Sequence, residues 1–198
     1  MRKCGWAALL FCTITCVAQK ISYGAIAGVD FYESGNSGGQ FQFEAVKHSG
    51  LRAGGYVEYQ FAQTVGLKGE VTYMSKEFKA GGYVVGYIPE KLNYITVSPL
   101  VKFDFGSEYR KGFYALAGPV AGIMAGHADN VDTNAVKPIY LAVSAGIGER
   151  FARFVEVEFL VACGVTPFYA VELDQSYKGN MLDASLSLNL DMERILHH

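Results

Sequence analysis

Leu51-Arg52-Ala53-Gly54-Gly55-Tyr56-Val57-Glu58-Tyr59-Gln60-Phe61 is an unbroken alternation of apolar and polar residues. Leu51, Ala53, Gly55, Val57, Tyr59 and Phe61 fall on one face, and Arg52, Gly54, Tyr56, Glu58 and Gln60 on the other. A period of two is the period of a β-strand. The pattern resumes after Ala62-Gln63-Thr64: Val65, Leu67, Gly69, Val71 and Tyr73 oppose Gly66, Lys68, Glu70, Thr72 and Met74. Such a short break between two alternating runs is a hairpin signal.

Reading outward in both directions, eight stretches of this kind cover 21–31, 51–61, 65–78, 92–105, 113–126, 139–150, 155–168 and 181–192. Each is near the ~9–11 residues that a tilted strand needs to cross a bilayer. Stretch 113–126 is apolar on both faces, so its facing stays open. The connections alternate in length. Those near 62–64, 106–112 and 151–154 are short, and those near 32–50, 79–91, 127–138 and 169–180 are long. Short turns at one rim and long loops at the other are the pattern of an outer-membrane barrel.

The composition agrees. Of 198 residues, 51% are hydrophobic and 18% charged, with 23 Gly and 5 Pro. The charge content is low against a usual ~25%, which argues against disorder. A formal net charge of -2 offers no basic excess, so a nucleic-acid partner is not expected. Residues 1–18 have the form of a signal peptide: Arg2 and Lys3, then an apolar core opening at Ala7-Ala8-Leu9-Leu10-Phe11, then small residues in Cys16-Val17-Ala18. Thr15 is a poor neighbour for a lipoprotein reading with Cys16 acylated. Residues 19–198 form one barrel domain, in which Cys163 is the single cysteine, so no intrachain disulfide is expected.

Alternation alone leaves the outward face undecided, because a soluble lipocalin-like barrel turns its apolar face inward. Three features favour apolar-out. The polar face carries glycines (Gly28, Gly54, Gly66, Gly146, Gly148 and Gly164), which weaken an exposed strand but make room inside a narrow barrel. It mixes charges of both signs, Arg52, Lys68 and Lys102 with Glu58, Glu70, Asp104, Glu156 and Glu158, as an internal polar network requires. Aromatics gather at the strand ends: Tyr59, Phe61, Phe103, Phe105 and Phe113 toward the short turns, and Phe31, Tyr73 and Phe168 toward the long loops. The expectation is an all-β, eight-stranded antiparallel up-and-down transmembrane β-barrel with short periplasmic turns and long extracellular loops. Closure satisfies every backbone group in hydrocarbon, and eight strands leave a lumen that side chains fill.

The stretches Gly24-Ala25-Ile26-Ala27-Gly28-Val29-Asp30-Phe31, Gly50-Leu51-Arg52-Ala53-Gly54 through Phe61, Leu92-Asn93-Tyr94-Ile95-Thr96-Val97 and Tyr114-Ala115-Leu116-Ala117-Gly118-Pro119 together resemble the PorT-type, OmpX/OmpA-like small outer-membrane barrels. The chain departs from that pattern at Ser98, which intervenes before Pro99, and in ending beyond Leu190-Asp191-Met192 without a terminal aromatic. The resemblance implies an integral outer-membrane protein without enzymatic activity.

The candidate lumen network is Arg52, Glu58, Lys68, Glu70, Lys102, Asp104, Glu156 and Glu158. Tyr83, Val84, Tyr87 and Ile88 form a candidate contact patch in a long loop. No cofactor and no metal site are expected, since His48 has no partners at ligand spacing. Gly146-Ile147-Gly148 is not followed by a helix, as a dinucleotide site needs. The expected partners are outer-membrane lipid and an envelope protein met through the loops. Two alternatives stand beside this: a lipid-modifying enzyme using His127, Ser144 and a Glu, and a soluble exported barrel that binds an apolar ligand.

Overall fold

In a computed structural model, residues 21–36, 48–77, 91–106, 111–127, 137–166, 169–173 and 175–196 are described. Nine strands follow one another: β1 (Ile21–Asn36), β2 (His48–Gln60), β3 (Val65–Glu77), β4 (Lys91–Asp104), β5 (Gly112–His127), β6 (Ile139–Ala152), β7 (Val155–Gly164), β8 (Tyr169–Leu173) and β9 (Gln175–Asp191). A short helix, α1 (Met192–Leu196), ends the described chain. Each strand pairs antiparallel with its sequence neighbour, except that β7 pairs with β9, and β1 pairs with β9 to close the sheet. Short β8 pairs with β9 alone, so the wall has eight strands.

Following paired residues around the wall gives the stagger. The path runs from Ile21 through Tyr59, Leu67, Val101, Ala117, Ala145, Val161 and Ala184 back to β1 at Phe31, ten residues on. A stagger of this size in eight strands goes with a tilt of ~35–45°. Strands β2 and β3 have 13 residues each, which at ~3.3 Å per residue and such a tilt rise about 30 Å, the thickness of a hydrocarbon core.

Alternation sets the facing. Leu186 is 45% exposed and Val157 is half-buried, whereas Lys68 is fully buried and Arg52 is 8% exposed. The stretch apolar on both faces turns Tyr114, Leu116 and Val120 inward and Phe113 and Ile123 outward. Cys163 is exposed on the outer wall. Tyr59, Phe61, Phe103, Phe105 and Phe113 all lie exposed toward the short-turn rim, with Phe103 and Phe105 edge to face.

Several boundaries differ from expectation: β1 runs on to Asn36 rather than residue 31, and β2 begins at His48 rather than residue 51. Stretch 169–180, expected as a loop, holds a hairpin in which Tyr169–Leu173 pairs with residues 175–179. Strand β7 ends at Gly164 rather than residue 168, because the chain leaves β9 there and bonds β6 instead: the Val165 and Thr166 amides donate to the Leu141 carbonyl, and Thr166 Oγ1 accepts from the Leu141 amide. The last strand stops at Asp191, whose Oδ1 accepts the Arg194 amide and starts α1.

Candidate functional site

The polar faces of all eight wall strands converge on the barrel axis, and the groups there tie distant strands together. Toward the short-turn rim, Lys68 Nζ of β3 lies 2.6 Å from Glu158 Oε2 of β7 and 2.8 Å from Glu70 Oε1. Its ammonium stands 4.8 Å from the centre of the Tyr56 ring. Lys102 of β4 pairs with Glu58 of β2 at 3.0 Å and Glu156 of β7 at 3.5 Å, and sits 4.0 Å over the Tyr114 ring. The Tyr114 hydroxyl bridges Glu156 and Glu158 at 3.0 and 3.2 Å. Asn189 Nδ2 also donates to Glu158. Arg150 of β6 pairs with Glu156 and, at 3.3 Å, with Asp191.

A second cluster lies toward the other rim. Arg52 pairs with Glu70 at 2.6 Å and donates to Ser185 Oγ at 3.2 Å. Lys76 pairs with Asp183 and stands 4.9 Å over the Tyr32 ring. Thr72 and Thr96 share a hydrogen bond of 2.6 Å. Asp30 is fully buried, and neither of its carboxylate oxygens has a hydrogen-bond partner among the described residues. Apolar layers fill the rest: Leu92, Tyr94, Val120 and Tyr140 above, and Leu100, Leu116 and Leu160 below.

Of the eight residues placed in the lumen by the sequence, seven enter ion pairs given above, and Asp104 is buried at the short-turn end of β4. The structure adds Asp30, Lys76, Arg150, Asp183 and Asp191 to the inward charges. All share the parity of their strands' polar faces, so alternation carried that signal too. A further device was signalled in part, since the polar-face glycines marked room in the lumen but not which side chains fill it. Three inward tyrosines lie directly opposite glycines on the next strand: Tyr56 opposite Gly24, Tyr114 opposite Gly148 and Tyr140 opposite Gly122. A Cβ at Gly148 would sit 2.3 Å from Tyr114 Cζ, and one at Gly122 2.0 Å from Tyr140 Cε1. Each ring occupies the volume its glycine leaves.

The patch Tyr83, Val84, Tyr87 and Ile88 lies outside the described residues. Ser144 is buried and donates to the Gly118 carbonyl at 3.2 Å. Glu156 and Glu158, the paired carboxylates on one strand face, are engaged by lysine, arginine, tyrosine and asparagine within the closed wall. Among the described residues no group of three or more His, Cys, Asp or Glu has metal-holding geometry.

No protein-family model and no curated protein matches the sequence. Among solved structures the chain is similar to Neisserial surface protein A, with 12% identity and a TM-score of 0.52 over 86% of this chain and 98% of that one. It is also similar to Ail, the attachment invasion locus protein of Yersinia pestis, with 13% identity and a TM-score of 0.48 over 86% of this chain and 97% of that one. For the outer membrane protein OprG of Pseudomonas aeruginosa the values are 13% and 0.46, over 87% and 94%. What the chain shares with the Neisserial protein is the fold, the small closed antiparallel barrel of outer-membrane proteins.

Proposed function

We propose that this chain is an integral outer-membrane barrel of the PorT-type, OmpX/OmpA-like kind, exported by its 1–18 leader, with a plugged lumen and no catalytic role. It serves as a structural, binding or assembly component, meeting an envelope partner through the loops at the rim away from the short turns. The observation that carries the reading is the inverted facing: Leu51, Val71, Val143 and Ile147 are more than half exposed, while Lys68, Lys102, Glu58 and Glu156 are at most 1% exposed. An apolar belt of this extent is stable in lipid and aggregates in water, and the soluble ligand-binding barrel has the opposite facing.

The test is fractionation of cells that carry the full-length protein. The expected result is a protein extracted only by detergent, migrating at two positions on a gel according to whether it is heated. Release of folded protein from the periplasm without detergent would overturn the membrane reading. A lipid A profile that changes on deletion of the gene would overturn the non-enzymatic one. Isolation in mild detergent then names the partner, and shaving of the cell surface by protease tests the loop expected at 79–91 as the contact segment.

A further inference from the structure

Pro99 of β4 and Pro119 of β5 are directly opposed. Pairing runs in a single register from Val97 with Ala121 to Val101 with Ala117, which puts the two prolines on the rung between, and the pairing is interrupted there. In an antiparallel ladder, opposed residues alternate between pairs that exchange two N–H···O bonds and pairs that exchange none. The interruption marks the proline rung as the exchanging kind, since neither ring has an N–H to donate. Two ladder bonds are thus missing near the middles of both strands. The Pro99 and Pro119 carbonyls are left without a strand donor, a costly condition in hydrocarbon unless the backbone lines a wet cavity.

Such a cavity lies on the lumen side of this rung. Its volume is about 30 Å³, and Ser98 of β4 and Val120 of β5 line it, with Ser144, Arg52, Asp183 and Ser185. A buried water needs ~10–15 Å³ measured this way and two or more polar partners, so the space suits about two waters. Arg52 Nε and Asp183 Oδ1 have no hydrogen-bond partner among the described residues. Gly118 leaves the inner side of the rung bare: a Cβ there would lie 2.1 Å from the Pro99 carbonyl oxygen. Ser144, which lines the cavity, reaches the Gly118 carbonyl.

We propose that the cavity and the proline rung form one unit, an internal water site whose molecules replace the missing ladder donors and make the β4–β5 seam the line along which the wall opens first. Residue-resolved amide hydrogen exchange of the folded full-length protein in micelles tests it. The Val97, Val101, Ala117 and Ala121 amides are expected to exchange at least about tenfold faster than central amides of the unbroken β2–β3 seam. Pro99→Val combined with Pro119→Val is expected to bring the two seams to the same rate. Equal rates in the unaltered protein, or no slowing in the double variant, would overturn the weak seam. Ala162→Leu, which fills the cavity from β7, is expected to lower the unfolding midpoint of the unaltered protein and to spare the double-valine variant. Equal effects in both backgrounds would overturn the water site. Water-to-methyl Overhauser transfer at Val120 and Ala142 gives a readout without substitution, and its absence would also overturn that site.

Discussion

Lys68 is fully buried between two carboxylates and an aromatic ring. Coulomb attraction there offsets the cost of desolvating the ions, so the network is a weak source of net stability but a strict one to disturb. Lys68→Met leaves Glu70 and Glu158 without that cation and is expected to cost ~3–5 kcal/mol, measured as a shift of the urea unfolding midpoint in lipid vesicles. Glu158→Gln keeps the shape and an acceptor for Tyr114 and Asn189, and is expected to be much milder. Comparable losses would contradict the assigned pairing. Gly148→Ala drives a methyl into the Tyr114 ring, which its bonds to Glu156 and Glu158 hold in place. Overpacking of this kind is expected to cost ~1–3 kcal/mol, and Tyr114→Leu in the same chain should recover part of it.

Among the strands, depth decides what a substitution costs. Val71 is the middle residue of β3 and is 54% exposed on the outer wall. Val71→Arg is expected to destabilise the barrel by ~2–4 kcal/mol, with the same change at Phe61, beyond the strand end, costing ~0–1; equal costs at the two depths would count against a membrane midplane at Val71. Strand existence and parity were legible because a residue's face follows from its number in the strand. Strand ends were less so. The 169–180 hairpin carries no alternation strong enough to separate it from a loop, and it forms because β9 continues past β7 and offers an unpaired edge. The doubly apolar 113–126 stretch could not be faced from pattern alone. Pairing with Lys102 and Gly148 on its two sides turns Leu116 and Tyr114 to the axis.

As a whole, the barrel is a plugged cylinder. Ion pairs and rings cross its axis from all eight wall strands, and eight strands enclose no more than side chains fill. Reconstitution into planar bilayers is therefore expected to give no conductance of the size of a general diffusion pore; steady wide-pore currents from the pure protein would refute the filled axis. Sequence by itself determined the all-strand class and which residues face lipid and which the lumen, because both follow from a period of two and from transfer energies that act on each residue separately. The choice of partners came only with the tertiary structure. Arg52 meets Ser185 across 133 positions of chain and Lys68 meets Glu158 across 90, contacts that exist only once the stagger on closure has set which levels of opposite strands share the axis.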